Sequence, residues 1–138
     1  MKILIMGLPG SGKTYLAERL QKHLKCAWFN ADKIRDMAND WEFSEEGRIR
    51  QARRMMNLAD YEKAQGSIVI CDFVCPTALH RHIFEADFTI WLNTVSKSKY
   101  EDTNNIFEVP AYADLVIDKF LNDSEIVSIV NKIAGVHE

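Results

Sequence analysis

Eight consecutive residues, Gly7-Leu8-Pro9-Gly10-Ser11-Gly12-Lys13-Thr14, fit the spacing G-x-x-x-x-G-K-[ST], the pattern of a loop that cradles phosphate. The residue types match that task. Glycines at 7, 10 and 12 let the backbone turn sharply and bring its N–H groups up to a phosphate chain. The helix that follows such a loop adds unpaired N–H groups and the positive end of its dipole. Lys13 can reach the β- and γ-phosphates, and the Thr14 hydroxyl can hold Mg²⁺. With Tyr15 next in the chain, these residues form the expected ATP-binding set. A glycine-rich turn that binds nothing is the alternative; three glycines, a lysine and a threonine in register argue against it.

Further residues could work beside this loop. Asp32 and Arg35 are three apart, so a helix starting near residue 31 would set both on one face. The aspartate could take a proton from an attacking hydroxyl, and the arginine could clamp an anionic acceptor. Equally, Asp32 could cap the helix and Arg35 be a surface charge. Arg48, Arg50, Arg53 and Arg54 crowd the start of the next predicted helix, where positive charge opposes the dipole. Either Glu42, Glu45 and Glu46 compensate them, or they form an electropositive acceptor pocket, the reading that a nearby phosphate loop favours. Asp72 closes the run Ser67-Ile68-Val69-Ile70-Cys71. A carboxylate ending a buried strand can assist Mg²⁺, or it can cap a helix or sit in a loop. His80 and His82 have no partner at metal-ligand spacing and are expected at the surface. Trp41 and Phe43, in the polar stretch 36–47, are expected to pack on the core rather than on a flat ligand.

These groups need a scaffold. Residues 2–6 are of buried-strand type, and Leu16, Leu20 and Leu24 recur at helical spacing over 13–25. Residues 26–30 read as a short second strand. Asp32 and Arg35 then follow a strand's C-terminal end, where open α/β sheets bind ligands. A helix is predicted over 48–65, with Ala52, Met55, Met56 and Ala59 along one side and Gly66 ending it. Strand three covers 67–72, a helix runs through Phe84, and 88–92 is strand four. Residues 93–106 are polar and aperiodic, with Lys97, Lys99, Asn104 and Asn105, where nucleotide kinases carry a lid. Strand five spans 114–118. Asn122 and Glu125 read as a capping arrangement for a last helix bearing Ile126, Ile129, Val130 and Ile133. This order predicts an α/β fold: a five-stranded parallel sheet, helices on both faces and right-handed crossovers.

A chain of 138 residues, 47% hydrophobic, suits one domain over 1–138 with a sizeable core. A net charge of -3 gives no global signature for nucleic acid, although a local basic patch is compatible with it. No run approaches transmembrane length, so no membrane partner is expected. The apolar stretch before the loop is too short for a secretory signal. Cys26, Cys71 and Cys75 are odd in number and lack zinc or C-x-x-C spacing. They are expected to be reduced thiols of a cytoplasmic protein.

Taken in order, these residues resemble the adenylylsulfate kinase family of phosphate-loop kinases. That family uses ATP to phosphorylate the 3′-hydroxyl of adenosine 5′-phosphosulfate (APS), giving PAPS. Asn30-Ala31-Asp32-Lys33-Ile34-Arg35 is similar to the family's D-G-D-x-x-R. Its catalytic aspartate falls on Asp32 and its substrate arginine on Arg35. Phe43-Ser44 with Arg48, Gln51, Arg53 and Arg54 resembles F-S-x-x-x-R-x-x-N-x-R-R, which puts acceptor-binding residues at Phe43, Arg48 and Gln51. Phe73-Val74-Cys75-Pro76 looks like F-I-S-P, whose aromatic stacks on substrate adenine. Phe107-Glu108-Val109-Pro110 looks like Y-E-x-P. The resemblance implies a kinase with ATP and Mg²⁺, Lys13 and Asp32 catalytic, Thr14 at the metal, and Arg35, Phe73 and Val74 at the acceptor; Asp72 joins Thr14 at the metal on the strand-end signature alone. A homodimer is in keeping with it.

The chain departs from the family at several positions. The family's first aspartate is Asn30, its glycine Ala31, its asparagine Gln51 and its serine Cys75. Asp72 stands where the family usually has a small residue. The family's R-D-x-K-G-L-Y-x-x-A lid is shortened to Ser96-Lys97-Ser98-Lys99-Tyr100 and its arginine is missing. Lys97, Lys99 or the arginine cluster would then have to meet the transferring phosphoryl. Two other readings stay open: a kinase for another nucleotide, a nucleoside or a nucleic-acid 5′-end, and an ATP-binding protein without catalysis.

Overall fold

The computed structural model describes residues 1–137. At its centre lies β1 (Lys2–Met6), between β3 (Val69–Asp72) and β4 (Phe88–Leu92), with β2 (Ala27–Asn30) and β5 (Leu115–Ile117) at the edges. The order is β2-β3-β1-β4-β5, and every neighbouring pair is parallel. This is the predicted sheet. The unbroken apolar run of β1 follows from helices covering both faces. Ile3 and Ile5 pack with Leu16 and Leu20 of α1 (Lys13–Leu24) and Ile126 and Ile133 of α6 (Asp123–His137). Leu4 and Met6 point the other way. They pack with Ala52 and Met55 of α3 (Glu45–Ala64) and Phe84 of α4 (Ala78–Phe84).

The chain leaves β1 for the β2 edge, returns to β3, then crosses β1 to reach β4. The winding reverses beside β1, and a crevice opens there at the C-terminal ends of the strands. α2 (Ala31–Ala38) starts directly from β2 and places residues 31–35 at that crevice.

Beyond one-residue shifts at other ends, such as those of β2 and β5, three features differ from expectation. α3 begins at Glu45 rather than Arg48, because the Ser44 hydroxyl accepts from the Gly47 N–H at 3.2 Å and Glu45 and Glu46 complement the dipole of the first turn. The arginines therefore lie further along the helix. β3 begins at Val69, since the Ser67 N–H is held by the Glu62 carbonyl at the end of α3. Within the aperiodic stretch 93–106 a six-residue helix, α5 (Glu101–Ile106), forms with only Thr103 buried. The Asn122–Glu125 arrangement is reciprocal: Asn122 Oδ1 accepts from Glu125 N at 2.9 Å, and Glu125 Oε1 from Asn122 N at 3.2 Å. Among the described residues, no helix is long and apolar enough to cross a membrane.

Candidate active site

The crevice is a cavity of about 1070 Å³, and the phosphate loop forms one side of it. Gly7 has φ 155°, and a side chain there would meet the Leu92 carbonyl oxygen and Ser11 Oγ at 2.7 Å. The end of β4 passes too close for anything larger. Gly12, at φ 99°, caps α1 with no side-chain hydrogen bond, and the first turn carries no acidic residue. The N–H groups at this helix start are thus left for an anion. Pro9, Gly10, Gly12, Lys13, Thr14 and Tyr15 line the cavity, whereas Leu8 and Ser11 are buried beneath it. Lys13 Nζ lies back across the loop, donating to the carbonyls of Gly7 at 3.0 Å and Leu8 at 3.1 Å. Burial lowers the Lys13 pKa to about 8, opposed by the charges of Asp72 and Asp32.

At the ends of β2 and β3, Asn30 and Asp72 are register partners. Asn30 Nδ2 donates to Asp72 Oδ1 at 2.9 Å and to Thr14 Oγ1 at 3.2 Å. Its Oδ1 caps α2 by accepting from Lys33 N at 3.1 Å. Trp28 Nε1 donates to the other Asp72 oxygen at 3.3 Å. Burial raises the Asp72 pKa to about 6, against the pull of Lys13, Trp28 and Asn30. Two departures from the family pattern therefore compensate each other. Carboxylates at both 30 and 72 would repel, but here one residue is an amide and the negative charge sits one strand over. The Thr14 hydroxyl and the Asp72 carboxylate, bridged by one amide, are hard oxygen donors of the kind Mg²⁺ takes alongside substrate phosphates and water. Among the described residues, no cluster of three or more His, Cys, Asp or Glu could hold a metal unaided. The donor set thus fits an ion that arrives with phosphate.

The opposite side comes from α2, α3 and the segments 73–76 and 95–103. Asp32 is exposed in the first turn of α2. Arg35, one turn on, is buried, and both line the cavity. Arg35 Nη1 donates to the carbonyls of Asp40 at 2.9 Å and Glu42 at 3.1 Å. Arg48 Nε donates to the Phe43 carbonyl at 2.9 Å, and its Nη2 to Thr103 Oγ1 at 3.2 Å and Asp102 at 3.4 Å. The two guanidiniums lie 4.3 and 5.5 Å from the Phe43 ring centre. Gln51 also lines the cavity, with both ends of its amide engaged: Nε2 to the Ala31 carbonyl at 3.0 Å, Oε1 from Arg54 at 2.9 Å. Phe73 is only 7% exposed, its ring edge-on to Phe84 at 5.5 Å, and with Val74 it shows its remaining surface to the cavity.

Several expectations need correction. The arginine cluster is not one pocket. Asp40 takes Arg50 at 2.6 Å and Arg54 at 2.5 Å, which holds its carboxyl well below the usual range, and Glu42 also pairs with Arg50. Of the four arginines, Arg48 alone lines the cavity. Trp41 and Phe43 are not core residues; they are 49% and 46% exposed and face the cavity. His80 is buried against Glu45 at 3.3 Å, where burial lowers its pKa; His82 is exposed as expected. Asp40 escaped the sequence reading because its partners lie 10 and 14 residues away, beyond any local pattern. Arg81 escaped it too. It donates to the carbonyls of Cys75 at 3.0 Å, Pro76 at 3.1 Å and Glu108 at 2.5 Å, joining segments distant in sequence. Cys26, Cys71 and Cys75 are free, as predicted.

The sheet order and the loop between β1 and α1 define a fold of the phosphate-loop class. The structure superposes on a shikimate kinase from Aquifex aeolicus with a TM-score of 0.69 at 13% identity, over 98% of this chain and 97% of that one. It superposes on the Mycobacterium tuberculosis APS kinase CysC, solved with AMPPNP and APS, with a TM-score of 0.75 at 19% identity, over 98% and 95%. These likenesses establish the fold. The adenylylsulphate kinase family model matches residues 1–95, and the chain belongs to that family. It is 30% identical over 113 residues to a probable adenylyl-sulfate kinase of Aeropyrum pernix, a match covering 72% of this chain and 60% of that protein.

Proposed function

We propose that this chain is an ATP-dependent phosphotransferase that moves the γ-phosphate of ATP to the 3′-hydroxyl of APS, giving PAPS. The observation that carries the reading is that the phosphate loop, the exposed Asp32 carboxylate and the Arg35 and Arg48 guanidiniums all open onto one cavity. The loop amides and Lys13 would hold the β- and γ-phosphates. Thr14 and Asp72 would hold Mg²⁺, which neutralises phosphate charge when bound. Asp32 orients the acceptor hydroxyl and takes its proton. Arg35, Arg48 and Gln51 shape the acceptor pocket, and Phe43, Phe73 and Val74 give it apolar faces. Phosphoryl transfer needs little else than such positioning and charge. A cytoplasmic setting accords with this chemistry.

A second acceptor has support from one detail. Gln51 stands at the family's acceptor asparagine with no free amide end. A nucleotide or nucleoside that does not need that contact would fit as well.

The test is γ-phosphate transfer from ATP-Mg²⁺ to APS beside a panel of nucleosides, nucleoside monophosphates and 5′-hydroxyl oligonucleotides. Transfer to APS alone is the expected result. Transfer to another acceptor replaces the substrate and keeps the chemistry. Bound ATP with no transfer anywhere would overturn the enzyme reading.

A further inference from the structure

We propose that Lys97 is the cation that meets the γ-phosphate, carried on a segment pinned in place rather than on a lid that closes. The inference rests on the kinase reading above. Five cationic side chains line the cavity: Lys13, Arg35, Arg48, Lys97 and Lys99. Four are engaged. Lys13 lies on loop carbonyls, and Arg35 and Arg48 on carbonyls, Asp102 and Thr103. Lys99 Nζ lies 5.3 Å from the Tyr100 ring centre. Lys97 is exposed and, among the described residues, has no hydrogen bond, ion pair or ring contact.

Its segment is anchored on each side. Asn93 N donates to the Ile117 carbonyl at 2.7 Å, and Thr94 Oγ1 to the carbonyl of Ser11, inside the phosphate loop, at 2.8 Å. Just beyond Lys97, Ser98 and Asn104 close on one another through three bonds of 2.8 Å. Thr103 and Asp102 then bind Arg48 on the acceptor side. Lys97 therefore sits on a span tied at one end to the donor's loop and at the other to the acceptor's arginine. The transferring phosphoryl travels between those ends, and its oxygens are the acceptors that this ammonium lacks. A cation held there beforehand stabilises the group without waiting for a closure. The family model's match ends at residue 95, and Lys97 lies just beyond it, in the shortened stretch that lacks the family's lid arginine.

Calorimetric titration of the intact protein tests this without knowledge of the acceptor. The ligands are the non-hydrolysable analogue AMPPNP and ADP, each with Mg²⁺. The proteins are the wild type, Lys97→Ala, Lys97→Arg and Lys99→Ala. Loss of a charge-assisted bond to the γ-phosphate is expected to weaken AMPPNP about tenfold in Lys97→Ala. ADP binding should stay unchanged, Lys97→Arg should retain most of the affinity, and Lys99→Ala should lose less than Lys97→Ala. Because Lys97 is exposed, thermal melts of its variants should overlay the wild type. Equal weakening of both nucleotides, unchanged AMPPNP affinity, or a larger loss at Lys99 would overturn the proposal and leave the kinase reading standing. A wild-type protein that binds neither nucleotide would remove both.

Discussion

The two sides of the cavity are built on different principles. On the proposed donor side the groups left for a ligand are backbone N–H groups at the start of α1. The glycines at 7 and 12 shape that backbone, and only the Lys13 amine must move off the loop carbonyls. On the acceptor side the groups are long side chains, and they already work for the fold. Arg35 gathers the 40–42 loop, Arg48 ties α3 to α5, and Gln51 joins α3 to the start of α2. A donor site of this kind survives sequence change as long as its turn survives. An acceptor site whose arginines also hold the walls apart cannot lose one without changing shape. Binding and stability should therefore separate on the first side and move together on the second.

Four substitutions test that contrast. Lys13→Ala should abolish transfer, a fall of at least about a thousandfold in kcat/KM, with a melting temperature near the wild type. A strongly destabilised variant would place Lys13 in the structure of the fold. Asp32→Asn should retain ATP affinity while kcat falls by about 10²- to 10⁴-fold. Normal turnover in this variant would remove Asp32 as the base. Arg48→Ala should lose both properties at once. It strips Thr103 and the Phe43 carbonyl of their donor, a cost of about 2–3 kcal/mol in stability, and it should raise the acceptor KM more than the ATP KM. An increase in KM with unchanged denaturant stability would break the contrast. Asp72→Asn reverses the sign. The folded protein holds a proton on Asp72 up to about pH 6, while the unfolded chain releases it near the ordinary 3.8. Ionised Asp72 thus costs stability that is intact below pH 4 and lost as pH rises through 6. The variant should be more stable than the wild type at pH 7.5, on the order of 1–2 kcal/mol, equal to it near pH 4, and should need more Mg²⁺ to reach half-maximal activity. Equal stabilities at pH 7.5 would show that burial of this carboxylate carries no such cost.

The donor side was legible in the sequence because its information is local. Loop, flanking strand and following helix are contiguous, and the spacing of Leu16 and Leu20 against Ile3 and Ile5 already implies the layer that holds them. The five strands were legible for the same reason. On the other side, spacing and position pointed to Asp32, Arg35 and Arg48, and matched motifs added Phe43; all four line the cavity. They said nothing of which partners each would take. Four arginines in seven residues look alike in a sequence. Asp40, brought up by the turn after α2, separates Arg50 and Arg54 from Arg48. The helix α5 was invisible because six residues with one buried side chain carry no period. His80 looked like a surface group because nothing nearby in sequence points to Glu45, 35 residues earlier.

The Arg81 side chain has a mechanical consequence. It holds the carbonyls of Cys75 and Pro76 at one end and that of Glu108 at the other, and Glu108 N returns a bond of 2.7 Å to Pro76. The chain between Pro76 and Glu108 is therefore a purse whose neck is drawn shut by one guanidinium. A nick in the surface stretch 95–100 would leave the neck closed and the part of the wall formed by 73–76 in register. Loss of Arg81 would slacken that wall with every peptide bond intact. The rigidity of the acceptor pocket is thus governed from the far side of α4, by a residue that never faces the cavity.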